Sequence, residues 1–219
     1  MKLQVIPVTE FRQNCAVLWC EATREAAVVD PGGDIDKILE LVADEGLTLK
    51  VILLTHARAD HAAATAALVR RCKLQVAGPH PDDLLWIRRL PADAAALGLP
   101  VADMFTPDRW LGQGDTLQLG ELTIEVRHCP GHTPGHIVFF NRASRLALVG
   151  DVLFKGSIGR TDLPGGDRAQ LIRSIRENLF PLGDDMRFLP GHGPMSTFGE
   201  ERRSNLFVAD RLFAGLPSA

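Results

Sequence analysis

The chain has no tyrosine and only four cysteines among its 219 residues, and aromatic residues make up just 6%. Without tyrosine, no phenol is available to hold a substrate. Cys15, Cys20, Cys72 and Cys129 show neither CxxC spacing nor the density of a disulfide framework. They read as buried or idle thiols in a reduced setting. No apolar run is long enough to cross a bilayer. No apolar signal core follows Met1-Lys2-Leu3-Gln4-Val5-Ile6-Pro7. The expected setting is therefore cytoplasmic and away from membranes. A basic excess is also missing: 24 basic against 27 acidic residues give a net charge of −3, which advertises no nucleic-acid surface. The pairs Arg70-Arg71, Arg88-Arg89 and Arg202-Arg203 read as solvated helix faces. No GxxxxGK[ST] loop and no Ser-His-Asp elbow occur, which argues against an NTPase and a serine hydrolase.

What is present is ordinary globular material, with 46% hydrophobic and 23% charged residues. Short apolar runs alternate with longer amphipathic stretches, the pattern of mixed α and β layers. Strands are predicted at Leu3–Pro7, Ala16–Cys20, Ala26–Val29, Val51–Leu54, Gln75–Ala77, Thr116–Leu119, Thr123–Arg127, Ile137–Asn141, Leu146–Val149 and Arg187–Leu189. Helices are predicted over 34–45, 61–72, 82–97, 168–179 and 199–213. Asp34 is positioned to cap the first helix and Gly46 to stop it. Several strands are nearly continuous apolar runs, so both of their faces should be covered. No repeat or linker divides the chain, and residues 1–219 read as one domain.

Polar clusters follow four of these strands directly. Thr55-His56-Ala57-Arg58-Ala59-Asp60-His61 follows Val51–Leu54. Cys129-Pro130-Gly131-His132-Thr133-Pro134-Gly135-His136 follows Thr123–Arg127. Gly150-Asp151 follows Leu146–Val149, and Gly191-His192-Gly193-Pro194 follows Arg187–Leu189. Sites in layered α/β proteins assemble beyond the carboxyl ends of strands, so four such clusters can meet at one point. Imidazole and carboxylate together suit a catalytic transition metal. Water on such a metal is acidified toward neutrality and supplies hydroxide for attack on a carbonyl. Asp60 is the candidate catalytic carboxylate, able to orient that hydroxide. The other histidines read more plainly. His80 belongs to a loop, His128 to a satisfied strand end, and His136 to a supporting hydrogen bond beside the site.

These clusters resemble the metallo-β-lactamase fold superfamily over nearly the whole chain. That family carries HxHxDH followed by separate His, Asp and His positions. The resemblance implies an α/β fold, a four-layer αββα sandwich with metals at one edge. It implies a first metal site using His56, residue 58 and His132, and a second using Asp60, His61 and His192, with Asp151 bridging both. Zinc is the implied cofactor, as one or two ions, with iron or manganese also compatible. The stretches Asp30-Pro31-Gly32-Gly33, Cys129–His136, Gly150–Asp162 and Pro190–Pro194 most resemble the short glyoxalase II-like group. That likeness implies hydrolysis of a small-molecule thioester, such as S-lactoylglutathione or another S-2-hydroxyacylglutathione. Arg160 falls where that group makes a basic glutathione contact and Lys155 is nearby, although a loop salt bridge serves both equally well. Two departures stand out: the chain ends before the C-terminal helical glutathione-binding domain of full-length glyoxalase II, and the tyrosine contact of that enzyme is missing.

Arg58 is the third departure. A guanidinium has no lone pair to give a metal. It can swing away, leaving sites partly occupied. It can place its cation in the first pocket against Asp151 or Asp60. It can be a neutral variation, or mark a mutated form of a histidine parent with reduced activity. The asymmetry favours a mononuclear enzyme with its metal in the second site. Two other functions stay open. A persulfide dioxygenase of the same family uses one iron on residues equivalent to His56, His132 and Asp151. A metal-poor scaffold would bind a thiol conjugate or a protein without turnover.

Overall fold

The structure is a computed structural model that describes residues 1–214. Its first sheet joins β1 (Lys2–Val8), β2 (Gln13–Trp19), β3 (Glu25–Val29), β4 (Thr48–Leu53) and β5 (Gln75–Ala77) in sequence order. Strands β1 to β3 are antiparallel, whereas β3, β4 and β5 run parallel. The later strands are β6 (Thr116–Leu119), β7 (Leu122–His128), β8 (Ile137–Asn141), β9 (Leu146–Gly150), β10 (Leu153–Phe154), β11 (Ser157–Ile158), β12 (Arg187–Pro190) and β13 (Ser196–Thr197). Of these, β10 and β11 form a small hairpin, and the others make a sheet in the order β13-β12-β9-β8-β7-β6.

Side-chain alternation along the strands builds the layers, because successive residues point to opposite faces. Val17, Trp19, Val28, Ile52 and Leu54 turn outward onto helices α1 (Ile35–Asp44), α3 (Thr65–Cys72) and α4 (Leu84–Ala96), through Ile38, Leu68, Trp86 and Leu90. Their neighbours Ala16, Leu18, Ala27, Val29 and Leu53 turn inward onto Val126, Ile137, Phe139, Leu148 and Leu189 of the second sheet. On the far face of that sheet, Val138, Phe140, Val149 and Phe188 pack on Leu171 of α5 (Arg168–Ser174), Phe198 of α6 (Phe198–Ser204) and the intervening Leu179 and Phe180. The result is helix, sheet, sheet, helix: the expected αββα sandwich. No helix among the described residues is long and apolar enough to cross a membrane.

Strand direction decides where the loops lie. Strands β3 and β4 are parallel, as are β9 and β12. Two antiparallel steps separate β7 from β9, so β7 runs the same way. The segments that follow these strands thus leave along one edge of each sheet. Backbone bonds from Ile137 N–H to the Thr55 carbonyl (2.8 Å) and from Asn14 N–H to the Gly191 carbonyl (2.7 Å) join the two sheets near that edge.

The helices depart from expectation in three places. The predicted helix over 61–72 is instead α2 (Ala59–Ala62) followed by α3, because the Ala64 N–H donates to the Pro31 carbonyl at the turn between them. The predicted helix over 199–213 stops at Ser204, where Asn205 takes an extended conformation. Its amide donates to the Ser157 carbonyl (3.0 Å) of the β10–β11 hairpin and to Glu201 (2.8 Å), a tertiary role that outweighs continuing the helix. Asp34 stands before α1 but does not cap it with its side chain; its carboxylate accepts the Thr9 N–H at 2.7 Å instead.

Phe139 is wholly buried between the sheets. Phe139→Ala is expected to destabilise the protein by about 3–5 kcal/mol through lost burial and a residual cavity, read as a lower midpoint in urea unfolding.

Candidate metal centre

The four clusters meet. His56, Asp60, His61, His132 and Asp151 are buried, and His192 keeps 30% of its side chain exposed, marking the solvent side. Asp151 lies in the middle, with Oδ1 3.3 Å from His61 Nε2 and Oδ2 3.6 Å from His132 Nε2. His192 Nε2 is 3.2 Å from Asp60 Oδ2 and 4.0 Å from Asp151 Oδ2. Two groups of donors share Asp151: His56, His132 and Asp151, and Asp60, His61, Asp151 and His192; Asp30 also gathers with His56 and His61. In each group the donors lie within 4.8 Å of one another. Ligands about 2.0–2.2 Å from a tetrahedral ion stand about 3.4 Å apart, so these spacings suit a divalent cation.

Hydrogen bonding prepares the histidines for that role. The Thr55 hydroxyl donates to Asp30 (2.6 Å), which leaves its oxygen to accept His56 Nδ1–H at 3.0 Å. His61 Nδ1–H donates to Asp30 at 3.0 Å, and His132 Nδ1–H donates to the Arg160 carbonyl at 2.8 Å. Each ring therefore turns Nε2 toward the centre, as a lone pair on His56 and His132 and facing Asp151 on His61. His56 Nε2, His61 Nε2, Asp60 Oδ1 and Asp151 Oδ1 have no hydrogen-bond partner among the described residues. Buried polar atoms without partners are costly, and a cation is what this donor set lacks.

The charges are tightly coupled. Burial works against ionised Asp151, but the adjoining His61, His132 and His192 outweigh it and hold the carboxyl well below its ordinary range. Burial also opposes a charge on His61, yet Asp151, Asp30 and Asp60 raise its affinity for a proton well above normal. Burial and neighbouring imidazoles drive His56 well below the usual histidine value. Asp60 is pushed up by burial, but the hydrogen bond to His192 and the charges of His61 and Arg58 bring it net below.

Arg58 points into this centre. Its Nη1 is 3.4 Å from His132 Nε2 and its Nη2 is 3.8 Å from Asp60 Oδ1. The side chain has not swung away, and its cation meets Asp60 rather than Asp151. It also lines a cleft of about 240 Å³ with Trp86, Arg89, Leu97, Arg160 and Leu163. Arg160 is exposed there and forms a two-pronged pair with Asp162 at 2.9 and 2.7 Å. Lys155 is exposed at the tip of the β10–β11 hairpin. His136 Nε2 accepts the Asp151 N–H at 3.1 Å, and His128 and His80 stack on each other away from the donor groups.

Two acids have a supporting role that the sequence reading does not assign. Asp30, at the end of β3, orients both His61 and Thr55. Asp83 is buried and accepts from Ala57 N–H (2.9 Å), Thr133 Oγ1 (3.0 Å) and Gly135 N–H (2.6 Å), binding the His56 loop to the His132 loop. Burial raises its carboxyl to about 6 against the pull of those donors. A Pro81–Asp83 turn beside a helix start gives no hint of this in sequence. Glycine is obligatory behind Asp151: Gly150 has φ +49°, and a Cβ there would sit 2.5 Å from Thr55 Oγ1 and 2.7 Å from His136 Nε2.

A model of the metallo-beta-lactamase superfamily matches residues 8–192. The hydroxyacylglutathione hydrolase GloC of Haemophilus influenzae is 44% identical over 209 residues, covering 95% of this chain and 98% of that protein. Among solved structures, the B3 metallo-beta-lactamase BLEG-1 superposes with a TM-score of 0.87 at 35% identity, covering 94% of this chain and 99% of its own. TTHA1623, solved in a di-iron-bound form, gives a TM-score of 0.84 at 36% identity, with 93% and 99% coverage.

Asp83→Ala removes the shared acceptor of three buried donors and is expected to cost about 1–3 kcal/mol of stability, measured as a lowered thermal midpoint. A second expectation concerns pH. His61 holds its proton more tightly than usual, and a cation on Nε2 must displace it. Zinc affinity should therefore rise with pH, and chelator competition at pH 6 and pH 8 should show tighter binding at pH 8.

Proposed function

The chain belongs to the metallo-beta-lactamase superfamily, and from that premise we propose that it is a metal-dependent hydrolase of thioesters, acting on S-2-hydroxyacylglutathione. The observation that carries this reading is the pair of donor groups that share the buried Asp151. The 44% identity to a protein named as a hydroxyacylglutathione hydrolase supports the substrate class. His56, Asp60, His61, His132, Asp151 and His192 form the ligand set. Zinc, iron and manganese all accept these nitrogen and oxygen donors. When bound, the ion supplies Lewis acidity and an acidified water at neutral pH.

The chain's own residues supply orientation and proton control. Asp30, Thr55 and the Arg160 carbonyl keep His61, His56 and His132 aimed by their Nδ1–H bonds. Asp60 turns Oδ2 to His192 and leaves Oδ1 unpartnered, which suits it to hold a water and take its proton. Hydrolysis joins the water oxygen to the acyl carbon and breaks the carbon–sulfur bond. The products are the hydroxy acid and glutathione thiol, the sulfur receiving the displaced proton. Thr55, Asp30 and the buried strand ends exclude bulk water from one side, and the cleft beside Arg160 admits substrate on the other. Lys155 and Arg160 are assigned to the carboxylates of glutathione, where Arg160 must exchange Asp162 for the ligand. Four unpaired cysteines are compatible with a reducing, cytoplasmic setting.

A dioxygenase reading keeps one specific support: His56, His132 and Asp151 form a buried group of their own. The two readings separate in one experiment. Protein loaded in turn with zinc, iron and manganese is expected to hydrolyse S-lactoylglutathione, to stop when stripped by chelator, and to recover on reloading. An Asp60→Asn variant should lose about 10²–10⁴-fold in rate. Loaded protein that leaves the thioester intact would overturn the hydrolase reading, and oxygen uptake with glutathione persulfide by the iron form would install the dioxygenase.

A further inference from the structure

Arg58 is the one charged group in the centre to which the hydrolase reading gives no task. Its backbone is held by the first turn of α2, where its carbonyl accepts the N–H groups of His61 (3.0 Å) and Ala62 (2.9 Å). From that base the largely buried side chain reaches inward toward Asp60. A guanidinium stays charged at any relevant pH and only donates.

Its position divides the donor atoms unequally. Nη1 lies at hydrogen-bond range of His132 Nε2, the lone pair that a first-site ion would need. Of those four buried donor atoms without a partner, His56 Nε2 is the one whose residue lies in the first group and not in the second. Asp60 Oδ1, His61 Nε2 and Asp151 Oδ1 all serve the second. The guanidinium also stands 3.8 Å from Asp60 Oδ1, but only in the first group does it meet, at hydrogen-bond range, the nitrogen an ion would bind, while the second group keeps two carboxylates. The other side of the guanidinium faces the cleft shared with Trp86, Leu97 and Leu163.

We infer that Arg58 stands in for one of two metal ions: the chain takes a single divalent cation at Asp60, His61, Asp151 and His192, and the guanidinium supplies the second positive charge between His132 and the cleft, where it donates to the carbonyl oxygen of the bound acyl group. The inference deepens the hydrolase reading and rests on its metal site. Placed so, Arg58 touches substrate, and its charge opposes entry of a cation at His56 and His132. A neutral or ligating residue at position 58 removes that opposition.

The test is zinc content by elemental analysis after loading and desalting, for the full chain and its Arg58→His, Arg58→Lys and Arg58→Ala variants. The original chain and Arg58→Lys are expected to hold about one zinc per chain, and Arg58→His to approach two. Arg58→Ala, which loses charge without gaining a ligand, should take a second zinc more weakly, seen as a second phase in the titration. Cobalt loading adds a readout independent of turnover. One isolated ion is expected in the original chain, and magnetically coupled pairs in Arg58→His. About two zinc in the original chain would overturn the inference, as would a single zinc in both Arg58→Ala and Arg58→His. A single ion that His56→Ala removes and Asp60→Ala leaves in place would overturn it too. These outcomes are distinct from failure of the hydrolase reading, since one zinc per chain with no thioester turnover sinks that reading and leaves the metal count standing. The acyl contact is checked by Arg58→Lys, expected to retain more of kcat than Arg58→Ala at equal zinc content; equal losses would remove the contact.

Discussion

The structure depends on keeping the Asp151 carboxylate ionised in a buried place. A charge out of water is expensive unless it is paired and hydrogen-bonded. Here His61 and His132 face its two oxygens at 3.3 and 3.6 Å, and its own backbone N–H is held by His136 at 3.1 Å. Those partners come from two separate segments, one after β4 and one after β7. They can gather only if the two sheets lie face to face with the carboxyl ends of β4, β7, β9 and β12 at one edge. The sandwich and the centre are therefore solutions to the same constraint, with apolar burial supplying the driving force and the carboxylate fixing the register of the loops.

Support for the centre is arranged in tiers. Asp30 and Thr55 form a chain of short hydrogen bonds that sets the protonation of His56 and His61. Asp83 then holds the loops themselves together by backbone and hydroxyl donors. Neither acid needs to meet a ligand to matter, because an imidazole that rotates or changes tautomer no longer offers Nε2. Rigid placement is also why several donor atoms remain without partners. Their surroundings are too well packed to turn and satisfy them locally, so the cost is offset only when a cation arrives.

Arg58 shows how one residue can change the electrostatics of such a centre without changing the fold. Asp60 and Asp151 bring two negative charges, and the guanidinium already answers part of them. The alanines on either side of it are buried and small, so the position accommodates a long side chain at little steric cost. The same guanidinium borders the cleft, which links metal content to substrate contact through a single side chain.

Much of this was legible in the chain itself. The runs Val51–Leu54, Ile137–Asn141 and Leu146–Val149 announced buried strands because both faces must be apolar when sheets are covered on both sides. The His and Asp clusters at their ends announced which side chains would converge, since a strand end delivers its next residues to a sheet edge. Local pattern failed where long-range bonds took over. Asn205 abandons a helix to tie down a hairpin, Ala64 breaks one to bind the Asp30 turn, and Asp34 leaves its cap for Thr9. The sequence by itself determined the layered architecture and the inventory of donors, because hydrophobic periodicity and residue chemistry are local properties. Only the tertiary structure decided that Asp30 and Asp83 hold the centre together and that Arg58 lies against His132, because those relations join residues 25 to 74 positions apart and depend on how two sheets stack.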